Sequence, residues 1–206
     1  MEIPDGIATE QGADQPAPVT SSTPDLTAWR IECRSRDGAG FLVRPIQPDD
    51  IDRERSFITG LSEESRYLRL LYVMREPSPE FVTQMVTVDY QRTMAFVAST
   101  RDTGQEQFIA VARYASDARG AAAEFAIVVA DAWQGRGVGS QVAAILFDYA
   151  ASRGLETMYG DISATNQRML ELVRKLGLVT QPLPEDARIA RATLDLRGRR
   201  VSRLGK

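Results

Sequence analysis

The stretch around residues 122–153 constrains the fold of this 206-residue chain more than any other part of the sequence. An apolar segment over residues 122–129 predicts a strand, residues 134–139 (QGRGVG) predict a turn, and residues 138 to about 153 predict an amphipathic helix. Glycines let a ligand approach the backbone, and the first N–H groups of a helix lack intrahelical partners and carry about half a positive charge. The sequence therefore predicts a strand–turn–helix unit whose turn binds a pyrophosphate group.

Two other interpretations of the glycine-rich turn are open from the residues alone. Gly135 and Gly137 match the first two glycines of a dinucleotide-binding fingerprint. Ser140 stands where that fingerprint has Gly or Ala, and such a unit normally opens its domain, whereas here much of a sheet is predicted to precede it. The other alternative is a structural turn that binds no ligand.

The strand before the turn carries a carboxylate, Glu124, among small side chains. Because side chains alternate along a strand, Glu124 is expected on the same face as Ala122, Ala126 and Val128. The opposite face is expected to carry Phe125, Ile127 and Val129. Small neighbours leave room for a ligand beside a group that can accept a proton.

The composition excludes several kinds of active site. The chain has one cysteine, Cys33, and no histidine. Ser-His-Asp and Cys-His nucleophilic sites therefore cannot form within it, and zinc sites of the usual Cys/His kind are equally excluded. Acid–base chemistry must depend on carboxylates, tyrosines, lysines or water, and we predict no bound metal.

The chain is predicted to form one domain between two tails. Residues 1–25 are polar, rich in Pro, Gly and Ala, and acidic without any basic residue, which predicts a disordered acidic tail. Residues 26–198 form the predicted domain, and residues 199–206 form a basic tail without a nucleic-acid recognition motif, so we expect no nucleic-acid partner. The sequence shows no apolar run of about 20 residues and no secretory signal pattern, which predicts a cytoplasmic protein without a membrane partner.

The periodicity along the predicted domain indicates an α/β fold with a central mixed sheet and helices on both faces. Strands are predicted over residues 29–35, 41–45, 93–100, 107–115, 122–129, 155–162, 178–183 and 189–196. Helices are predicted over residues 48–60, 62–74, 78–86, 138–153 and 166–176.

The segment QGRGVG resembles the Gln/Arg-x-x-Gly-x-Gly/Ala acyl-CoA signature of the GNAT acetyltransferase superfamily, and the predicted order of elements is similar over about residues 41–196. Within that superfamily, residues 41–50 (FLVRPIQPDD) and 61–69 (LSEESRYLR) look like the catalytic domain of bacterial protein lysine acetyltransferases of the Pat type. The resemblance implies a GNAT-like fold and transfer of an acetyl group from acetyl-CoA to a protein lysine, with acyl-CoA synthetases as targets. The oligomeric state, monomer or homodimer, stays open.

The resemblance also implies roles for individual residues. The backbone groups of Ile127, Val128 and Val129 are expected to pair with the pantetheine arm. Pyrophosphate is expected on the backbone N–H groups of Gln134, Gly135, Arg136, Gly137, Val138, Gly139 and Ser140. The side-chain amide of Asn166 is expected to contact the coenzyme, with a helix cap as the alternative. The side chain of Arg136 either reaches a phosphate or faces solvent.

The free energies of the two proton transfers indicate that an attacking lysine needs a base more than the leaving thiolate needs an acid. With an amine pKa of about 10.4, deprotonation at pH 7 costs about 4.6 kcal/mol, whereas releasing a thiolate of pKa about 8.5 costs about 2 kcal/mol. Glu124 is the candidate base, since the lysine acetyltransferases that the chain resembles have a glutamate on this strand. The alternative is an ordinary surface or ion-paired carboxylate.

Many members of the superfamily have a tyrosine acid on the last helix, but the matching position here is Val173. Water is then expected to protonate the thiolate. With no histidine and one distant cysteine, direct transfer in a ternary complex is expected. Two rival functions remain, acetylation of a small-molecule amine and a non-catalytic acyl-CoA-binding sensor.

Overall fold

The computed structural model describes residues 25–70, 76–102, 104–199 and 201. The predicted acidic tail, apart from its last residue, lies outside the described residues. So do the end of the predicted helix over residues 62–74 and most of the predicted basic tail. No helix among the described residues is long and apolar enough to cross a membrane.

The described residues form eight strands and five α-helices. The strands are β1 (Ile31–Arg34), β2 (Gly40–Pro45), β3 (Thr93–Thr100), β4 (Gln107–Ser116), β5 (Ala122–Val129), β6 (Thr157–Ser163), β7 (Val179–Leu183) and β8 (Asp186–Asp195). The helices are α1 (Ile51–Gly60), α2 (Glu63–Leu70), α3 (Pro79–Val86), α4 (Val138–Ser152) and α5 (Gln167–Lys175). The predicted mixed α/β architecture is confirmed.

The sheet has the strand order β1-β2-β3-β4-β5-β6-β8-β7, and only the neighbours β5 and β6 are parallel. Those two strands pair over three residues, with Ala122–Glu124 opposite Thr157–Tyr159. Beyond Glu124, β5 continues to pair with β4 and β6 continues to pair with β8. The sheet therefore opens between β5 and β6 just past Glu124.

Helices cover both faces of the sheet because its central strands are apolar on both sides. On β3, Phe96 packs in the core formed with α4 and α5, whereas Val97 packs in a second core with α1 and α3. Helix α4 is the most deeply buried helix, and Leu146 and Tyr149 on it are almost inaccessible to solvent. This helix thereby fixes the position of the turn that precedes it.

The strand predicted over residues 29–35 begins two residues later in the structure, at Ile31 of β1. Trp29 lies in a 3-10 turn, Thr27–Trp29, with its N–H donating to the carbonyl of Leu26 at 3.1 Å. Its ring lies 4.9 Å from that of Tyr149 and 5.9 Å from that of Phe96, centroid to centroid. Packing of the indole on this aromatic core holds the residue out of the strand, which is a tertiary effect that local β propensity does not contain.

A buried ion pair joins β2 to the turn before α1. Arg44 donates from both terminal nitrogens to the carboxylate of Asp50 at 2.7 Å, and these residues are 4% and 0% exposed. The Gln47 amide donates to the same carboxylate at 2.8 Å. Burial acts to raise the pKa of Asp50, but the hydrogen bonds from Arg44 and Gln47 and the charge of Arg44 outweigh it and lower that pKa.

Candidate active site

The opening between β5 and β6 is the floor of a cleft of about 770 Å³. Clefts of this size hold drug-sized ligands in other proteins. One wall comes from α2, the other from α5, and the glycine-rich turn closes one end. The cleft thus contains the two features that the sequence predicted to lie together, the carboxylate of Glu124 and the glycine-rich turn.

Glu124 is an exposed carboxylate at the point where the strands separate, in register with Tyr159 of β6. Among the described residues its carboxylate has no hydrogen-bond or ion-pair partner. Two other acids that line the cleft are engaged, because Asp161 accepts two hydrogen bonds of 2.7 Å from Arg191, and Asp131 accepts hydrogen bonds from Ser62 and Ser65. Glu124 is therefore not an ion-paired strand carboxylate, and it can accept a proton from a ligand in the cleft.

Alternate residues of β5 direct their backbone N–H and C=O groups toward the cleft. The Ala130 N–H donates to the Ile109 carbonyl on the β4 side at 2.8 Å. Because hydrogen-bonded and open pairs alternate along antiparallel strands, the backbone groups of Val128 also face β4, and those of Ile127 and Val129 face the gap. The side chain of Val128 lines the cleft.

The side chain of Gln134 connects the two walls of the cleft. Its Nε2 donates to the Val129 carbonyl at 3.1 Å and to Ser65 Oγ of α2 at 3.0 Å. Its Oε1 accepts from Arg168 of α5 at 2.8 Å. The glycine-rich motif predicted a role only for the backbone of Gln134. Its side chain contacts residues 34 and 69 positions away in the chain, and no local sequence pattern predicts such contacts.

The turn before α4 presents unpaired amides to the cleft. Gly135 and Gly137 adopt positive φ angles of 73° and 85°, and Gly137 occupies the N-cap position without a side-chain cap. The Gln141 N–H donates to the Gly137 carbonyl at 3.4 Å, so the helical ladder begins there. The amides of the preceding first turn, at Val138, Gly139 and Ser140, have no carbonyl one turn earlier. Gly139 and Ser140 line the cleft, where their amides can bind an anion, whereas Val138 is 0% exposed.

Close packing holds this turn against β5. A Cβ added at Gly139 would lie 3.1 Å from Val129 Cγ2 and 3.5 Å from Leu172 Cδ2 of α5. The hydroxyl of Ser140 donates to the Gly137 carbonyl at 2.8 Å. The helix start is therefore fixed against the floor of the cleft at β5 and against its α5 wall.

The side chain of Arg136 is 28% exposed, and Arg136 is not among the residues that line the cleft. Its guanidinium forms a 2.7 Å ion pair with Asp37 in the β1–β2 turn and lies 4.0 Å from the centre of the Trp133 ring. Hydrogen bonds from Ser35 and Arg136 lower the pKa of Asp37. These contacts hold the guanidinium of Arg136 on the side of the β1–β2 turn.

Asn166 caps α5 and also lines the cleft. Its Oδ1 accepts from the Met169 N–H at 3.1 Å, which leaves its NH₂ group as the end that can donate to a ligand. Val173, the position at which many superfamily members have a tyrosine, is 0% exposed. That position cannot present any group to the reacting atoms.

Replacing Gly137 with alanine is expected to weaken acetyl-CoA binding. The added Cβ would lie 3.2 Å from Arg36 Cγ, and the positive φ costs an L-residue about 1–2 kcal/mol. Gly154, at the other end of α4, has nearly the same φ of 84° and open space around it, which makes Gly154→Ala the matched control. Calorimetry should show a larger dissociation constant for Gly137→Ala only; equal affinities for both variants would contradict the role of this turn.

Comparisons with known proteins agree with this geometry. The family model described as acetyltransferase (GNAT) domain matches residues 41–179. An acetyltransferase of Pseudomonas aeruginosa is 37% identical over 151 residues, which are 73% of this chain and 81% of that relative. The GNAT domain of S. lividans Pat superimposes with a TM-score of 0.76 at 27% identity, covering 82% of this chain and 98% of that domain.

A longer relative matches over part of its length. The acetyltransferase Pat of Mycolicibacterium smegmatis is 29% identical over 150 residues, which are 72% of this chain and 44% of that protein. The chain thus spans less than half of this relative. The match of the family model and the likeness to Pat domains confirm the resemblance drawn from the glycine-rich segment, and the chain belongs to the GNAT acetyltransferase family.

Proposed function

We propose that this acetyltransferase moves the acetyl group of acetyl-CoA to the side-chain amine of a protein lysine. The observation that carries the proposal is the position of Glu124, an exposed and unpaired carboxylate in the same cleft as the open amides of the glycine-rich turn. Likeness to Pat domains favours a protein acceptor. Solvent access to the carboxylate also supports an acceptor presented from outside the molecule.

We expect the acyl-coenzyme to lie in the cleft in one orientation. Amides between Gly135 and Ser140 would bind the pyrophosphate, whereas the Gln134 N–H, also predicted for this role, donates to the Asp131 carbonyl at 3.3 Å. The gap-facing backbone groups of Ile127 and Val129 would pair with the amides of the pantetheine arm as an added strand does. The NH₂ group of Asn166 would donate to the same arm. The acetyl end would then lie toward Glu124.

Glu124 would accept the proton of the incoming ammonium, directly or through one water, so that the amine can attack the thioester carbonyl. The new C–N bond forms as the C–S bond breaks, and the thiolate leaves with the electron pair. The nitrogen then gives its second proton to water to become the neutral amide, and Glu124 returns the first proton to solvent. Since Val173 offers no acid, water would protonate the thiolate. Both reactants must therefore be bound together.

A covalent acetyl-enzyme does not fit the described residues. Cys33 lies on β1, where burial raises the pKa of its thiol. It is not among the residues that line the cleft. Direct transfer is therefore the proposed route.

The acceptor class can be tested with labelled acetyl-CoA and a lysate of the organism that encodes the chain. We expect label on the lysines of a small set of proteins, with acyl-CoA synthetases as the first candidates to purify. Glu124→Gln protein in parallel should leave them unlabelled. Label confined to small metabolites would overturn the protein acceptor, and binding without any transfer would indicate a sensor.

A further inference from the structure

The turn between β1 and β2, residues 35–39, lies against the glycine-rich turn. The Arg36 N–H donates to the Arg136 carbonyl at 2.9 Å, and the Gln141 side chain donates to the Arg34 carbonyl at 2.9 Å. The ion pair between Arg136 and Asp37 adds a third link. These contacts make the hairpin turn part of the wall around the phosphate-binding amides.

Arg36 extends over this turn with its side chain. A Cβ added at Gly137 would lie 3.2 Å from Arg36 Cγ, 3.3 Å from Nε and 3.6 Å from Cδ, so the stem lies on the backbone that is expected to bind phosphate. Arg36 lines the cleft together with Gly135, Gly137 and Ser140.

The side chains of Arg136 and Arg36 differ in their contacts. Arg136 is tied to Asp37 and stacked on Trp133. The Arg36 guanidinium has no carboxylate within ion-pair distance among the described residues, although it is exposed and lines the cleft. Arg36 therefore retains its full set of donors for a ligand.

We propose that Arg36 supplies the side-chain cation that binds the phosphates of the coenzyme. The inference rests on the proposed function, because it needs acetyl-CoA in this cleft. A guanidinium matches the geometry of two phosphate oxygens, and a phosphomonoester carries roughly −1.5 to −2 charge near neutral pH. The hairpin turn would thereby become a determinant of coenzyme affinity, with the pyrophosphate or the ribose 3′-phosphate as the group bound.

Calorimetry with the full chain tests the proposal. Arg36→Gln should bind acetyl-CoA about five- to tenfold more weakly than wild type, since an exposed charge pair is partly screened. Arg30→Gln removes the same charge from an exposed position just before β1 and should bind as wild type. Raising the salt concentration should reduce the difference in acetyl-CoA affinity between wild type and Arg36→Gln.

Two truncated substrates separate the phosphates from any structural effect. If acetyl-3′-dephospho-CoA binds equally to wild type and Arg36→Gln, the partner is the ribose phosphate; if the deficit persists, it is the pyrophosphate. Turnover of acetyl-pantetheine, which lacks both groups, should not change with Arg36. Equal affinity of wild type and Arg36→Gln for acetyl-CoA would overturn this inference alone, whereas absence of binding to wild type would overturn the proposed function and the inference together.

Discussion

Glu124→Gln should lower kcat with acetyl-CoA and a lysine acceptor by about 10²- to 10⁴-fold, the range that a general base contributes. The substitution keeps the size of a side chain that has no partner among the described residues, so the fold and the cleft should persist. Acetyl-CoA should bind with unchanged affinity, because the expected phosphate and pantetheine contacts lie elsewhere in the cleft. Steady-state kinetics and calorimetry on the same preparation measure the two quantities.

The pH dependence of this variant distinguishes a base from a residue that only shapes the cleft. As pH rises toward the amine pKa of about 10.4, the acceptor deprotonates in solution and needs the base less. The loss of kcat in Glu124→Gln relative to wild type should therefore become smaller at high pH. Glu32→Gln, a change at another exposed strand carboxylate, is the control and should keep wild-type kcat. A deficit that stays constant from pH 7 to pH 10 would contradict the role of base.

Asp50→Ala should lower the free energy of unfolding by about 3–5 kcal/mol, because it leaves the Arg44 guanidinium buried without its main partner. Glu106, which accepts from Arg44 Nε at 2.9 Å, cannot replace the bidentate contact. Asp52→Ala on the exposed side of α1 should cost about 0.5 kcal/mol or less. Denaturant unfolding monitored by circular dichroism gives both values. Equal midpoints for the two variants would contradict the importance of the buried pair.

The same pair predicts an acid-dependent loss of stability. The pKa of Asp50 is lower in the folded chain than its unfolded value of about 3.9. Its stabilising contribution is therefore complete above that unfolded value and is lost as pH falls through the lower folded pKa. Asp50→Asn should flatten this part of the curve of stability against pH. An unchanged acid limb in the variant would show that other carboxylates determine it.

Local patterns were sufficient for the elements that position the site. The predicted bounds of β3 and β5 match the structure, because each is a mainly apolar run between clear turn signals. Helix α4 was bounded by glycines at both ends, Gly137 and Gly154, which take positive φ angles. Strand β8 starts at Asp186, before the predicted residue 189, because it pairs with β7 across a tight turn.

Contacts between distant residues could not be predicted from one sequence. Glu54 was predicted only to lie in the helix over residues 48–60, yet it is buried and accepts a hydrogen bond from Arg113 at 3.0 Å. The position of Arg36 over Gly137 depends on hairpin geometry that no local motif encodes. The separation of β5 from β6, which forms the cleft, likewise results from pairing partners on either side rather than from either strand alone.

A structure of the full chain with acetyl-CoA tests the central claim most directly. We predict the pyrophosphate oxygens at hydrogen-bond distance from the amides between Gly135 and Ser140, with the thioester on the side of the gap where Glu124 lies. We also predict the carboxylate within reach of the carbonyl carbon through an incoming amine or one water. A nucleotide bound away from those amides, or a thioester with no path to Glu124, would contradict the account.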